Sequence, residues 1–501
     1  MSKSYDKLCT LSKEIRILQG VLSLTEWDQE TYMPSGGAGH KAEQVETLAS
    51  IIHKKKTSSS YRKELSNLID LKTGKVKEAS LDPRQKAALR EWRRSYLKEN
   101  QLPTNFVRTY AKLCSEAIQA WKQAKEQSNF KIFQPYLEKI VVLNRKKADL
   151  LGYEDHPYDA LLDEYEPDTK YSTLRKLFEE IKKPLISLLK KIKAAPQIDD
   201  KCIHGDFSIE SQLKLTEELL NAVGFTKEHG RLDISAHPFS SSSHPSDNRI
   251  TTRLDSSCVT SNLLTVLHEL GHALYEAGLP EKDYGTPLCQ PISLGVHESQ
   301  SRWWETRIGQ SIPFWQFFLP QVKKYFPKLD SVPLDAFVRA INKVSPTFIR
   351  VEADEVTYPL HVLLRFDVEH QLIDGSLKVE EIPQYWNSKM EEFLGITPPN
   401  DALGCLQDIH WAHGSFGYFP TYALGNIFAA HLFETFEKEY PQWGKWIAKG
   451  EFLFMKDWLR ENIHKYGKQY SSHELLKKVT GKPLTPKAYL DYFILHSSLC
   501  A

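Results

Sequence analysis

The stretch VLHELGHALYE, residues 266–276, carries two histidines four apart with a glutamate directly after the first. On an α-helix, residues four apart are rotated by about 40° and raised by about 6 Å. His268 and His272 therefore point to one side and can share one metal ion, while Glu269 stands beside them and need not be a ligand. A helix is expected because Leu263, Val266, Leu267, Leu270 and Leu274 supply an apolar stripe. Gly271 is a poor helix former and marks a place of close packing. The competing reading is two histidines satisfied by hydrogen bonds inside a core.

A catalytic zinc takes three protein ligands and keeps one position open. The pattern HExxHxxGxxH would need a glycine and a histidine where Tyr275 and Gly278 stand, so that class fails. No acid follows at 290–292, where Gln290, Pro291 and Ile292 occur. The next helical stretch, SLGVHESQSRWWETRIG, supplies Glu298. It reads as the third ligand, on a second helix facing the first. Glu276 and Glu305 are its rivals. Glu276 lies one turn past His272 and suits a supporting role behind it. His297 is expected to point elsewhere, and Glu305, if not a ligand, to be a surface or ion-paired carboxylate.

The donor set dictates the chemistry. Zinc held by two neutral imidazoles and one carboxylate retains positive charge and acidifies a water towards a pKa of about 7. Glu269 is then free to take the proton and pass it to a leaving amine. Amide hydrolysis also needs a donor for the oxyanion.

These residues need a frame. The chain has 501 residues, 41% hydrophobic and 26% charged, which describes an ordinary water-soluble globular protein. Lys+Arg number 65 against 64 Asp+Glu, a balance that argues against nucleic-acid or membrane-surface partners. Cys9, Cys114, Cys202, Cys258, Cys289, Cys405 and Cys500 are scattered without a CxxC pair and read as reduced thiols of a cytoplasmic protein. Neither a signal-peptide core nor a membrane-length apolar run is present, so no transmembrane helix is expected.

Helical periodicity dominates. Asp82 caps a helix that Pro83 opens, and FKIFQPYLEKIVVLNRKKADLLGY and YSTLRKLFEEIKKPLISLLKKIKAA are amphipathic helices, the latter with a lysine-rich solvated face. NRITTRL, residues 248–254, is a strand by its β-branched residues, and SSSS at 240–243 is assigned to a loop. The expected fold is mainly α: one catalytic domain over 1–501, a helical N-terminal part to about residue 200, and the metal site and cleft within about 230–430 (residue positions in the sequence). A small antiparallel β-sheet lies beside the HExxH helix.

The order of short motifs is distinctive: HPF (237–239), DNRIT (247–251), HELGH (268–272), HESQS (297–301), IRVEAD (349–354) and GCLQDIHW (404–411). With VLSLTEWDQETYMPSGGAGHKAEQ before them and GYFPTYALGN after, the chain resembles the carboxypeptidase Taq family of zinc metallocarboxypeptidases over nearly its whole length. The Ser-rich insert after HPF and the LDSSCVTSN approach to the HExxH helix are its own. The resemblance implies a helical molecule around a deep central groove, with the metal at its floor and the N-terminal helices covering it. It implies release of single C-terminal residues with broad specificity and poor action on C-terminal proline. It also implies a homodimer, and a zinc ion for which Co2+ can substitute.

An enzyme of that kind acts on peptides with a free C-terminus and must recognise the α-carboxylate. The planar arginine fork suits this. Arg350, Arg249 and Arg253 are the candidates. The resemblance favours Arg350, with Arg253 second, while Arg249 can instead pair with Asp247. For the oxyanion, His410 and Tyr422 are the candidate donors and His413 the competing histidine. Asp354 and Asp408 are expected to support a histidine or an arginine, and Trp303, Trp304 and Trp411 to be core or groove wall. Two other readings are an oligoendopeptidase with the same two-helix metal arrangement and a non-catalytic helical binding protein with a vestigial metal site. Retention of Glu269 beside both histidines counts against the second.

Overall fold

The computed structural model describes residues 3–500, with side chains through Phe493. It is mainly helical. The elements that matter here are α1 (Lys3–Thr31), α2 (Ala38–Lys56), α3 (Pro83–Gln101), α4 (Ser261–Gly278), α5 (Leu294–Arg302), α6 (Thr357–Asp374) and α7 (Pro420–Glu439). Between α3 and α4 come three strands, β1 (Gly230–Ile234), β2 (Ser240–His244) and β3 (Asp247–Thr252).

Local sequence explains several boundaries. Asp82 accepts the Gln85 backbone N–H at 2.9 Å while Gln85 returns the bond to the Asp82 N–H at 3.0 Å, so α3 opens with a complete capping box and Pro83 at its first position. The two expected amphipathic helices run Phe130–Leu151 and Tyr171–Ala194. Both pack into the main core together with α4 to α7, whereas Tyr5, Leu8, Leu65, Leu89 and Trp92 form a smaller cluster under α1 and α3.

The sheet differs from expectation in two ways. Its order is β1-β3-β2, and only the β2–β3 pair is antiparallel; β1 runs parallel to β3, so the sheet is mixed. Residues 235–239 cross over the end of β3, which lets β1 and β2 run opposite to each other on its two sides. Thr251 ties the crossing down, since its hydroxyl accepts the Phe239 N–H at 2.9 Å. The serines 240–243 are strand β2 and not a loop. Main-chain pairing with β3 outweighs the weak strand propensity of serine. The hydroxyls of Ser242 and Ser243 donate to Asn248 and Asp247 at 2.8 and 2.7 Å, and that of Ser241 meets Ser23 of α1 at 2.8 Å.

The sheet and α4 are locked together by Thr252, whose hydroxyl donates to the Asn262 side-chain carbonyl at 2.6 Å. Helices α4 and α5 then meet backbone to backbone. A Cβ on Gly271 would stand 2.4 Å from the Gln300 carbonyl oxygen and 2.6 Å from the Ser301 Cα, a space only glycine fits. Tyr275 of α4 adds a bond, its hydroxyl accepting the Ile292 N–H at 3.1 Å just ahead of α5. Six cysteines are unpaired, and the side chain of Cys500 lies outside the described residues. No helix among the described residues is long and apolar enough to cross a membrane.

Replacing Gly271 by alanine should force these backbones apart. The expected cost is about 1–3 kcal/mol, the range for overpacking a tight core, read by urea unfolding of the metal-free protein. Metal affinity should fall in the same variant. An unchanged unfolding midpoint would mean that the two helices part here without penalty.

Candidate active site

α4 presents His268 and His272 from successive turns, and α5 presents Glu298 opposite them. Their ligand atoms all lie within 4.8 Å of one another. Each histidine turns Nε2 to the same carboxylate oxygen: Glu298 Oε2 is 3.7 Å from His268 Nε2 and 3.6 Å from His272 Nε2. Donors bonded at about 2.0–2.1 Å to one tetrahedral zinc stand roughly 3.3–3.4 Å apart, so the three atoms fit one small cation with little adjustment.

The far sides of both rings are already held. Glu305 Oε2 meets His268 Nδ1 at 2.7 Å and also accepts Arg302 Nη1 at 2.7 Å. Arg302 in turn donates through Nε to Asn426 of α7 at 2.8 Å. Glu305 sits in a widened π-helical turn, Trp303–Ile308, that continues α5. It is thus an ion-paired carboxylate behind His268 and not part of the three-atom cluster. The His297 carbonyl accepts from His272 Nδ1 at 3.1 Å, and the His297 ring brings its own Nδ1 within 2.6 Å of the same nitrogen. His297 is not part of the three-atom cluster, and its ring packs behind His272. Glu276 reaches His297 Nε2 at 3.1 Å and not His272, because the His297 ring stands between them. Held in this way, both histidines have Nδ1 committed and Nε2 free for a cation.

Position of Glu298 is fixed from behind. A Cβ on Gly425 of α7 would stand 2.3 Å from its Cγ, and Ser301 Oγ donates to its Oε2 at 3.1 Å. Charge follows from this crowding. Burial pushes Glu269 up to about 7, helped by the neighbouring Glu298 and Glu305 charges and opposed by His268. Burial would lower His268, but Glu298, Glu305 and Glu269 outweigh it and lift it to about 9. Burial first, then the charges of His297 and His268, keep His272 neutral. Burial would also raise Glu305, yet Arg302 and His268 hold it at about 2.

A cleft of about 650 Å³ opens over the cluster. Its lining includes Glu269, Arg253, Arg350, Tyr358, Tyr418 and Tyr422, with His237, Pro238 and Phe239 at one side. Arg350 is buried there and largely engaged: Nε and Nη2 donate to Asp408 Oδ1 at 3.2 and 3.0 Å, and Nη1 to the Tyr358 hydroxyl at 3.1 Å. Asp408 also accepts Arg365 Nε at 2.7 Å. Asp354 instead accepts backbone N–H groups of Ser345, Val356 and Thr357 near the start of α6. Arg253 is exposed in the cleft, and its guanidinium makes no hydrogen bond or ion pair among the described residues.

Three expected site residues lie off the cleft wall. Arg249 pairs with Asp247 at 3.0 Å and stacks 4.5 Å over Trp27, because α1 packs on that face of the sheet. His413 is exposed and outside the lining, turned out where the chain bends at Gly414, φ +75°. His410 stands behind Tyr422, its Nε2 3.2 Å from that hydroxyl, and burial above all pushes it down to about 3. Trp303, Trp304 and Trp411 are core. Sequence reasoning passed over Arg302 and Tyr358. Arg302 carried a signal, since it stands three residues before Glu305 on a helix.

A second cluster, His156, His370 and Asp374, has similar spacing. His156 is committed otherwise. Its Nδ1 accepts the Tyr158 N–H at 3.2 Å, which leaves the proton on Nε2, the atom facing Asp374 at 3.4 Å.

Comparison with known proteins identifies the family. The sequence profile of the carboxypeptidase Taq (M32) metallopeptidases matches residues 7–496. Thermostable carboxypeptidase 1 of Thermus thermophilus is 39% identical, with 98% of this chain and 97% of that protein covered. Carboxypeptidase 1 of Bacillus subtilis is 37% identical, with 96% and 95% covered. The solved structure of Pyrococcus furiosus carboxypeptidase superposes with a TM-score of 0.95 at 34% identity, covering 99% of each chain.

Metal binding should release protons. With His268 at about 9 in the metal-free site, a cation binding at pH 7 displaces its proton. Apparent affinity therefore rises about tenfold per pH unit as pH increases towards 9, then flattens. Calorimetric titration in buffers of different ionisation enthalpy should count close to one proton per ion from this histidine. A pH-independent affinity would contradict the charge arrangement.

Proposed function

Because the chain belongs to the carboxypeptidase Taq metallopeptidase family, we propose that it hydrolyses the last peptide bond of peptides with a free C-terminus, using one zinc ion. The observation that carries this reading is a single cleft holding a three-atom cation cluster, a buried acid beside it and an unpaired arginine. His268, His272 and Glu298 hold the cation. When bound, it supplies Lewis acidity to the scissile carbonyl and to water. The mixed nitrogen and oxygen donor set suits zinc, and also Co2+ as a substitute.

The chain's own groups do the rest. Glu269 takes a proton from the attacking water and hands it to the leaving amine, and its raised pKa suits both steps. The Tyr422 hydroxyl donates to the developing oxyanion. His410 holds that hydroxyl and acts through it. Arg253 takes the substrate α-carboxylate, since its fork is free, while Arg350 is spent mainly on Asp408 and Tyr358. Arg350 then shapes the cleft wall and offers its remaining N–H groups as a second contact. Release of single residues of many kinds is expected, with C-terminal proline poor, because proline brings a fixed φ and no amide N–H to the scissile bond.

Glu269→Gln should keep metal and melting temperature but lower kcat by about 10²–10⁴, the contribution typical of a general base. Turnover near wild type would remove the assignment. Arg253→Met should raise KM and erase most of the preference for a free acid over an amidated C-terminus, by about 10–100-fold for loss of a charged hydrogen bond. Full discrimination in that variant would return the anchor to Arg350. Equal wild-type rates on acid and amide would sink the exopeptidase reading itself.

A further inference from the structure

A second cavity, of about 500 Å³, lies between α1, α3 and the loop after His464, and shares no lining residue with the metal cleft. Every carboxylate on its wall is already engaged. Lys98 holds Asp163 at 2.6 Å, Lys56 holds Glu99 at 2.8 Å, Lys147 holds Glu164 at 2.6 Å and Arg90 holds Glu91 at 2.7 Å. Two cations on the same wall have no such partner. Neither Arg16 nor Lys468 makes a side-chain hydrogen bond or ion pair among the described residues, and Arg16 Nε is sealed from solvent without an acceptor.

The loop that delivers Lys468 is built to hold it there. Gly467, φ +50°, presses on the Leu288 carbonyl so closely that a Cβ would stand 1.8 Å from its oxygen. From the other side, Arg90 Nη2 donates to the carbonyls of Lys468 and Gln469 at 3.3 and 3.4 Å, and Arg84 to the Gln469 side chain at 3.2 Å. Burial first, then the charges of Lys98, Arg94 and Arg16, lower the Lys468 ammonium against the pull of Glu91. The acid that acts on Lys468, Glu91, is already hydrogen-bonded to Arg90. Two half-buried cations with no acid of their own destabilise the empty protein.

We propose that this cavity binds a small oxyanion, of phosphate or carboxylate chemistry, gripped by the Arg16 fork and the Lys468 ammonium. The Gln290 amide and the Ser95 hydroxyl line the same space and serve as neutral donors. Arginine and lysine together offer a planar fork and a point charge, the usual pair for phosphate. The ligand is either a free phosphate group or an acidic side chain of a peptide, and the test separates them.

The test uses the metal-loaded, full-length protein. Inorganic phosphate is titrated against chloride at constant ionic strength and followed by 31P NMR. Wild type should bind it saturably, Arg16→Gln and Lys468→Gln at least tenfold more weakly, and the double variant not at all at this cavity. Phosphate bound at the metal cleft persists in all four proteins and is subtracted. In low-salt, phosphate-free buffer both single variants should melt at or above the wild-type temperature, because a repulsion has been removed. A glutamate-rich peptide with an amidated C-terminus is the second arm. Displacement of phosphate by it assigns the site to acidic peptides, and failure to displace assigns it to phosphate. Equal phosphate binding by wild type and double variant overturns the proposal. So does a lowered melting temperature in both single variants without saturable binding by wild type, since the two residues would then be structural.

Discussion

Everything at the metal cleft depends on how closely two helices approach. The imidazoles of α4 and the carboxylate of α5 can serve one ion only because Gly271 lets one backbone rest on the other at Gln300 and Ser301. Gly425 does the same from α7, filling the space behind the Glu298 side chain so that its carboxylate has one direction to face. Two successive helices and a third from much later in the chain thus converge through contacts that any side chain would block. The sheet contributes orientation: Thr252 fixes the start of α4 through Asn262, and β2 supplies one edge of the cleft at Ser240.

Charge is distributed with the same economy. Glu298, Glu269 and Glu305 crowd around two imidazoles, and of the three Arg302 hydrogen-bonds only Glu305, the one that supports His268. These carboxylates draw a positive charge to the centre, a proton on His268 when no metal is there. Further along the wall the sign reverses. Asp408 holds Arg350 and Arg365, and Arg253 stands exposed on the cleft lining without a hydrogen-bonded acid. A cation cluster and a free guanidinium in one cleft are what a peptide terminus requires of its binding site.

Much of this was legible in the sequence because it rests on helical periodicity. The HExxH helix, its apolar stripe, the role of Gly271 in close packing and the Asp82 cap all follow from local rules. The proximity of Glu298 to the two histidines required only that a second helix face the first. Harder to read were features set by long-range pairing. The serines of β2 form a strand because β3 offers its edge, not because serine favours one. Which of Arg253, Arg350 and Arg249 is engaged by a carboxylate could not be read locally, since Asp408 lies 58 residues from Arg350. The place of His297 between Glu276 and His272 depended on the exact rotation of α5 against α4, which spacing alone does not give.

Asp408 has one more consequence, which concerns descent. Two buried guanidinium groups share its carboxylate, so losing the acid strands both, and losing either arginine unbalances the acid. No single step away from this trio is mild. Lineages derived from this chain should therefore keep positions 350, 365 and 408 together or exchange them together.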